Sequence, residues 1–260
     1  MLMHPSIDPV ALQLGPLSIH WYGLMYVIAF ASCYYMAIYR IKFHQKHTPG
    51  HPMNSWDSEQ IGDMMFSIMF GVIFGGRIGY FLFYQSPLDY LSDPLSLLQI
   101  QNGGMSFHGG MLGVTAAGLL FAWRRGVPLL QMLDLLALAT PAGLLLGRIA
   151  NFINAELWGR PTDLPWGVIF PGPAAQSCPG IDGLCARHPS QLYEALLEGL
   201  VLGALLIVLA FRRGWLKRPG ALTGIFLMGY AVSRILVELV RQADPQFITP
   251  DNPMGYVVQI

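Results

Sequence analysis

Gly147-Arg-Ile-Ala-Asn-Phe-Ile-Asn-Ala-Glu-Leu-Trp-Gly159 closes an apolar run that begins at Leu129. The run approaches the ~20 residues that an α-helix needs to cross a bilayer. Its end is crowded with an arginine, two asparagines and a glutamate. Arg148 presents a planar fork of donors suited to an oxyanion. Asn151 and Asn154 can each donate and accept, and Glu156 can accept or, if protonated, donate. Together they form an anion-handling candidate at a membrane edge. Arg148 alone also has an ordinary reading, as a helix-end cation that caps carbonyls or snorkels toward headgroups.

Working outward, apolar runs recur near Ile19–Tyr39, Ile61–Tyr84, Phe107–Trp123, Leu192–Phe211 and Ala221–Val240. With 53% of residues apolar and only 12% charged, the composition agrees. The expected fold is an all-α polytopic membrane protein of six transmembrane helices with a loop region outside, and residues 1–260 are read as a single integral-membrane domain. Glycines at 71, 75, 76, 79, 109, 110, 113, 199 and 203 suit close helix contact in lipid. The formal charge is zero and no basic run tracks a phosphate backbone, so nucleic acid is not an expected partner. Met1 to Ser18 carries no Lys or Arg, so the first span is read as retained, not as a cleaved signal.

Orientation follows from the basic loops. Arg40, Lys42 and Lys46 follow the first span, Arg124 and Arg125 the third, and Arg212, Arg213, Lys217 and Arg218 the fifth. The positive-inside rule makes these cytoplasmic and puts the N-terminus, the Gln85–Ser106 loop and the Asn151–Pro189 loop outside. Every lysine is cytoplasmic by this reading, whereas Arg77, Arg148, Arg160, Arg187, Arg234 and Arg241 lie in spans or outside. Arginine suits bidentate phosphate or carboxylate contacts in a partly dry site.

Polar groups gather toward that outer side. Arg77 lies about seven residues, or about 10 Å, below the outer end of the second span, and Arg234 is similarly deep in the sixth. His20 and Tyr22 start the first span, His108 the third and Glu194 the fifth. Tyr230, Arg234 and Glu238 follow an i, i+4, i+8 pattern that shares one helix face, with Arg241 a turn beyond. Arg234 and Glu238 can satisfy each other as an ion pair, and the same glutamate can orient the arginine toward a ligand. Glu194 and Glu198 form a second i, i+4 pair, of which only Glu194 is assigned to polar partners. His108, amid Gly103-Gly-Met-Ser-Phe-His-Gly-Gly110, is either a general base or a histidine bonded to a neighbouring carbonyl.

The stretch Gly147-Arg-x-Ala-Asn-Phe-Ile-Asn-x-Glu-x-x-Gly159 resembles the signature of bacterial prolipoprotein diacylglyceryl transferases at every fixed position. The resemblance continues through His20-Trp-Tyr-Gly-Leu-Met25, Gly75-Gly-Arg-Ile-Gly-Tyr80, Gly103–Gly110, His188-Pro-Ser-Gln-Leu-Tyr-Glu194 and Arg234-Ile-Leu-Val-Glu238, covering almost the whole chain. It implies transfer of the diacylglyceryl group of phosphatidylglycerol to the lipobox cysteine of a preprolipoprotein at the outer face of the bacterial inner membrane. A thioether forms, glycerol phosphate leaves, and no cofactor is implied. It also implies a further span after the sixth, which is not present before the chain stops at Met254-Gly-Tyr-Val-Val-Gln-Ile260.

Such chemistry needs stabilisation of a phosphate whose charge grows as a carbon–oxygen bond breaks. Arg148 and Arg234 are the candidates, with Arg77, Asn151, Asn154, Glu156, Gly159, Glu194 and Glu238 in substrate binding and Tyr22 and Tyr230 at the site's edge. It also needs a thiolate from a cysteine of pKa ~8.5. His108 is the candidate base, and an arginine field that lowers the thiol pKa is the alternative.

Cys33 is expected to pack within the first span. Cys178 and Cys185, in one outer loop, form a disulfide or stay as two thiols. His44, His47 and His51 are interrupted by Pro49 and Gly50, and no metal site is expected. A transporter would show polar groups through the full bilayer depth or an internal repeat. Neither is evident, and the inner halves of the spans are nearly all apolar, with Asp134 the main exception. A metal-dependent phosphotransferase would want clustered aspartates, and the acids here are scattered.

Overall fold

The computed structural model describes residues 1–15, 17–47, 50, 56–84, 104–178, 180, 181 and 183–243. Gly103, the Gln85–Gly103 part of the outer loop, His51 and the terminal stretch Met254–Ile260 lie outside the described residues.

The chain is mostly helical. Strands β1 (Leu2–Met3), β2 (Val10–Leu14) and β3 (Leu17–His20) precede α1 (Trp21–His47), α2 (Ser58–Tyr84), α3 (Phe107–Arg125) and α4 (Leu129–Ile153). After β4 (Val168–Ile169) come the short α5 (Pro173–Gln176), α6 (Ser190–Phe211) and α7 (Ala221–Glu238). Five helices, α1, α2, α4, α6 and α7, are long and apolar enough to cross a membrane. The expected third span has also formed a helix, α3, but its glycines, His108 and terminal Arg124-Arg125 dilute its apolar character, and it is not among the five.

Several boundaries differ from the sequence reading, each for a local reason. Ile19 and His20 do not begin the first helix; they pair with β2 in an antiparallel hairpin, His20 opposite Val10. Helix α4 does not stop at Ile149 but continues through Asn151 to Ile153, because Ala150, Phe152 and Ile153 keep an apolar side facing inward. Helix α7 ends at Glu238, so Arg241 is not a further helical turn; it pairs across to Gly159. Helix α6 widens into a π-turn over Ala195–Val201.

Two compact units make up the chain: residues 1–33 with 134–260, and residues 34–133, the boundaries falling within α1 and α4.

In the second unit, α2 and α3 touch backbone to backbone. A methyl group built on Gly113 would sit 2.0 Å from the Gly71 carbonyl oxygen, and one on Gly109 would sit 2.3 Å from that of Gly75. No side chain fits there, which is the close packing expected of small residues in lipid. Ser106 caps α3, its Oγ accepting from Gly109 N at 3.1 Å, while its own N–H donates to Gly76 O at 2.8 Å. A groove of about 630 Å³ lies along these two helices, floored by Gly71, Gly75 and Gly113, walled by Phe70 and Phe74, with Asp63 and Arg125 at one end.

In the first unit, Gly199 and Gly203 of α6 face α4. A methyl group on Gly199 would lie 2.6 Å from Leu145 Cβ, and one on Gly203 would lie 3.1 Å from Pro141 Cβ. Cys33 packs as expected, its Sγ 3.3 Å from Ala139 O. Asp134, the acid that stood out in the apolar inner halves, is buried and satisfied: it accepts from Gly220 N, Thr223 N and Thr223 Oγ1 at 2.7–2.8 Å, holding the start of α7.

Candidate functional site

The site grows from the end of α4. Once the helix runs on past Arg148, Asn151 is a further turn along and the chain then leaves the helix at Asn154. Asn151 O accepts from Glu156 N at 3.1 Å, so the loop folds back on the helix that produced it. The Asn151 amide donates both to Tyr22 OH and, at 3.1 Å, to Glu156 Oε1, and Tyr22 OH donates to the same carboxylate oxygen. Tyr22, Asn151 and Glu156 are thus one hydrogen-bonded group. Asn154 is half-buried, its backbone N–H bonded to Ala150 O at 3.0 Å.

The arginines are gathered by α6. Glu194 lies between them, one oxygen 3.2 Å from Arg148 Nε and the other 2.7 Å from Arg234 Nη1. Arg234 also meets Glu238 at 3.0 Å on its own helix. Glu198, on the π-turn, reaches Arg148 Nη2 at 3.7 Å, longer than a hydrogen bond. Glu194 and Glu198 are fully enclosed, whereas the side chains of Arg148 and Arg234 keep 19% and 11% of their surface. Carboxylates therefore hold the guanidiniums while part of each arginine side chain stays open. Two arginines whose directions are fixed by a shared glutamate can receive an anion with little reorganisation. Tyr230 follows the same face of α7 one turn before Arg234.

The loop beyond is a small folded body. Val168, Phe170 and Ala175 form its core against Phe152, Ala155 and Trp158. The N-terminus is part of it: Leu2 and Met3 pair in parallel with Val168 and Ile169, and the His4 ring bonds Phe152 O at 2.7 Å. Cys178 and Cys185 are joined as a disulfide, deciding between the two alternatives left by the sequence. Arg187 is structural: it stacks 4.0 Å over Trp158 and donates to the carbonyls of Ala175, Gly159 and Ser177. Burial pushes its pKa below the ordinary guanidinium value and pushes that of His188 below the ordinary imidazole value.

Gly159 is placed here as a close-approach residue. A methyl group on it would lie 2.5 Å from Val240 O and 2.7 Å from His188 Cβ, and its N–H donates to His188 O at 2.8 Å. Of the residues expected at the site, Tyr22, Arg148, Asn151, Asn154, Glu156, Gly159, Glu194, Tyr230, Arg234 and Glu238 all belong to the first unit. Arg77 and His108 belong to the second. There, Arg77 is buried against Phe81, 4.9 Å from the ring centroid, and donates to Gly104 O at 2.9 Å. His108 is exposed in the first turn of α3.

Sequence reasoning left Glu198 unassigned and passed over Ser190 and Gln191, although all three lie in or next to the quoted His188–Glu194 motif. The signal for Glu198 was its spacing from Glu194; nothing in the spacing shows that a π-turn carries it. Gln191 had no signal, because its partner is a backbone carbonyl.

Comparisons with known proteins complete the picture. The family model described as LGT: Prolipoprotein diacylglyceryl transferase matches residues 9–259. A phosphatidylglycerol–prolipoprotein diacylglyceryl transferase of Cereibacter sphaeroides (strain ATCC 17025 / ATH 2.4.3) is 54% identical over 256 residues, covering 98% of this chain and 86% of the relative. The protein of that name from Ruegeria pomeroyi is 51% identical, over 99% of this chain and 86% of the relative. That of Pseudoalteromonas translucida is 46% identical, over 94% and 84%.

Proposed function

This chain belongs to the prolipoprotein diacylglyceryl transferase family, and from that premise we propose how its residues carry the reaction. It is a multi-pass membrane transferase of lipoprotein maturation that uses phosphatidylglycerol and prolipoprotein. The acceptor is the lipobox cysteine of the signal peptide. The working face is the periplasmic side of the inner membrane, where lipid and translocated peptide meet in the bilayer. Residues 1–260 act as one integral-membrane domain.

The observation that carries the residue assignment is the pair Arg148 and Arg234 held on one buried glutamate, Glu194. In the transfer, the cysteine sulfur attacks the glyceryl carbon and the carbon–oxygen bond to phosphate breaks, its electron pair staying on the phosphate oxygen. The products are a thioether and glycerol phosphate. The arginines face the charge that grows on that oxygen, so their interaction strengthens toward the transition state. Glu194 and Glu238 hold the guanidiniums. The Tyr22, Asn151 and Glu156 group, with Asn154, Gly159 and Tyr230, shapes the headgroup site. The thiol proton goes to a base, assigned to His108 on its Gly-rich motif, and Arg77 is retained as a substrate-binding residue on the same kind of support.

The test is a gel-shift assay with purified protein, phosphatidylglycerol and a lipobox peptide, run beside Arg148→Ala and His108→Gln. The parent should modify the peptide and Arg148→Ala should not; normal turnover in a folded Arg148→Ala would overturn the phosphate assignment. His108→Gln should lose turnover more than lipid binding, and unchanged turnover would remove it as the base.

A further inference from the structure

Glu156 lies outside any helix, and the backbone on both sides of it is strained. Ala155 has φ 53° and Leu157 has φ 54°. Neither is glycine, and side chains with a β-carbon avoid this left-handed region. Such a conformation persists only where its surroundings over-determine it, and it recurs at functional sites.

The first turn of α6 supplies those surroundings. Ser190 Oγ donates to Leu157 O at 2.9 Å, and Gln191 Nε2 donates to Glu156 O. Both residues are fully enclosed. Among the described residues Gln191 Oε1 has no hydrogen-bond partner, so there the polar contribution of this side chain is its donation to Glu156 O. One turn further along the same helix, Glu194 grips Arg148 and Arg234. A single stretch of α6 thereby touches both halves of the site: the strained loop that aims Glu156 at Tyr22 and Asn151, and the arginines.

We propose that Ser190 and Gln191 are positioning residues for the transfer reaction, a two-bond latch that holds the Glu156 loop in its left-handed form and so keeps Tyr22, Asn151 and Glu156 in register with Arg148. The latch rests on the function proposed above. It acts through Glu156 and touches no substrate.

Gln191→Met keeps the bulk and removes the donor. With phosphatidylglycerol and a lipobox peptide, it should lower kcat by about tenfold or more, because small misplacements of groups that orient a substrate are amplified in rate. KM for the lipid should stay within about twofold, the pattern of an interaction felt in the transition state. The decisive variant is Leu157→Gly. Leu157 is exposed, so this change removes little packing, and glycine adopts φ near 54° without steric cost. Alone it should stay within about twofold of the parent; added to Gln191→Met it should restore much of the lost kcat.

A Gln191→Met protein with the parent's kcat overturns the latch. So does a loss that Leu157→Gly leaves unrepaired, which would mean that Gln191 does not act through the left-handed backbone of the Glu156 loop. Should Gln191→Met fail to fold, Ser190→Ala with and without Leu157→Gly carries the same comparison. A parent without turnover overturns the proposed function and the latch with it, whereas an active parent beside an equally active Gln191→Met overturns the latch alone.

Discussion

In the second unit α2 and α3 meet chiefly through bare backbone, whereas in the first α4, α6 and α7 add buried charge to the close contacts of Gly199 and Gly203. The glycine contact needs no polar group: Gly71, Gly75, Gly109 and Gly113 bring main chains so near that a single methyl would collide. The charged contact needs every member present, since Glu194 is enclosed and ion-paired with two arginines from two different helices. Backbone fit dominates the first contact, with the Asp63–Arg125 ion pair at its end, and it carries packing. Composition specifies the second, which carries chemistry, and breaking it strands a charge.

That contrast is broken most severely at Glu194. Glu194→Ala removes the shared partner and leaves both arginines without it in a low-dielectric setting, a loss of about 3–5 kcal/mol by analogy with other buried ion pairs. Thermal unfolding in detergent should show a large drop, and turnover should vanish. Glu194→Gln keeps the shape and should retain more stability than turnover. Equal retention of both would mean that the glutamate is only a packing element.

The glycine contact comes next. Gly113→Ala must push the Gly71 carbonyl away from 2.0 Å, and such overpacking costs about 1–3 kcal/mol. Gly110→Ala is the internal control, because a methyl there would find its nearest neighbours at 3.8 and 3.9 Å, ordinary contact distances. A melting temperature lowered by Gly113→Ala and untouched by Gly110→Ala sharpens the contrast; equal effects would break it.

Third in size is Asp134, where the same rule operates away from the site. Asp134→Ala orphans Gly220 N, Thr223 N and Thr223 Oγ1 at the start of α7. Loss of a helix cap of this kind costs about 0.5–2 kcal/mol. Unfolding midpoints of Asp134→Ala and Asp134→Asn, which keeps an acceptor, should fall in that order below the parent.

The helical class, the placing of the long helices along the chain and most of the polar cluster were legible in the sequence, because apolar run length and i, i+4 spacing are one-dimensional signals; the third expected span formed a helix but is not among the five that are apolar enough to cross. Tyr230, Arg234 and Glu238 fall on the face their spacing assigned. The use of Glu194 was legible only in part: its polar role followed from position, but its bridging of two helices depends on how α4 and α7 flank α6. Ala155 and Leu157 were illegible, since neither is a residue that announces a left-handed backbone. His20 was misplaced because its run reads as apolar from Ile19 onward, while the hairpin partner that claims it, Val10, lies in a separate strand. The structured loop around Phe170 was hidden for a related reason: its core borrows Phe152 from α4, and its pairing borrows Leu2 and Met3 from the start of the chain.

The smallest effect tests whether the loop body follows the logic of burial without charge. His188 is half-buried, its ring 3.3 Å from Tyr193 OH, and burial holds its pKa below the ordinary imidazole value. Above that ordinary value, about 6.5, both folded and unfolded chains carry a neutral ring and the group adds no pH dependence. As pH falls through that value the unfolded chain takes up the proton first, so stability is lost until the folded pKa is passed, and then levels. Replacing His188 by Gln should remove this increment, making unfolding less sensitive to acid between pH 6.5 and the lower folded value while leaving neutral-pH turnover close to the parent's. If parent and His188→Gln lose stability in parallel over that window, the ring is not protected from charging by burial, and the loop body is held by its backbone pairing and the Cys178–Cys185 bond rather than by a dry core.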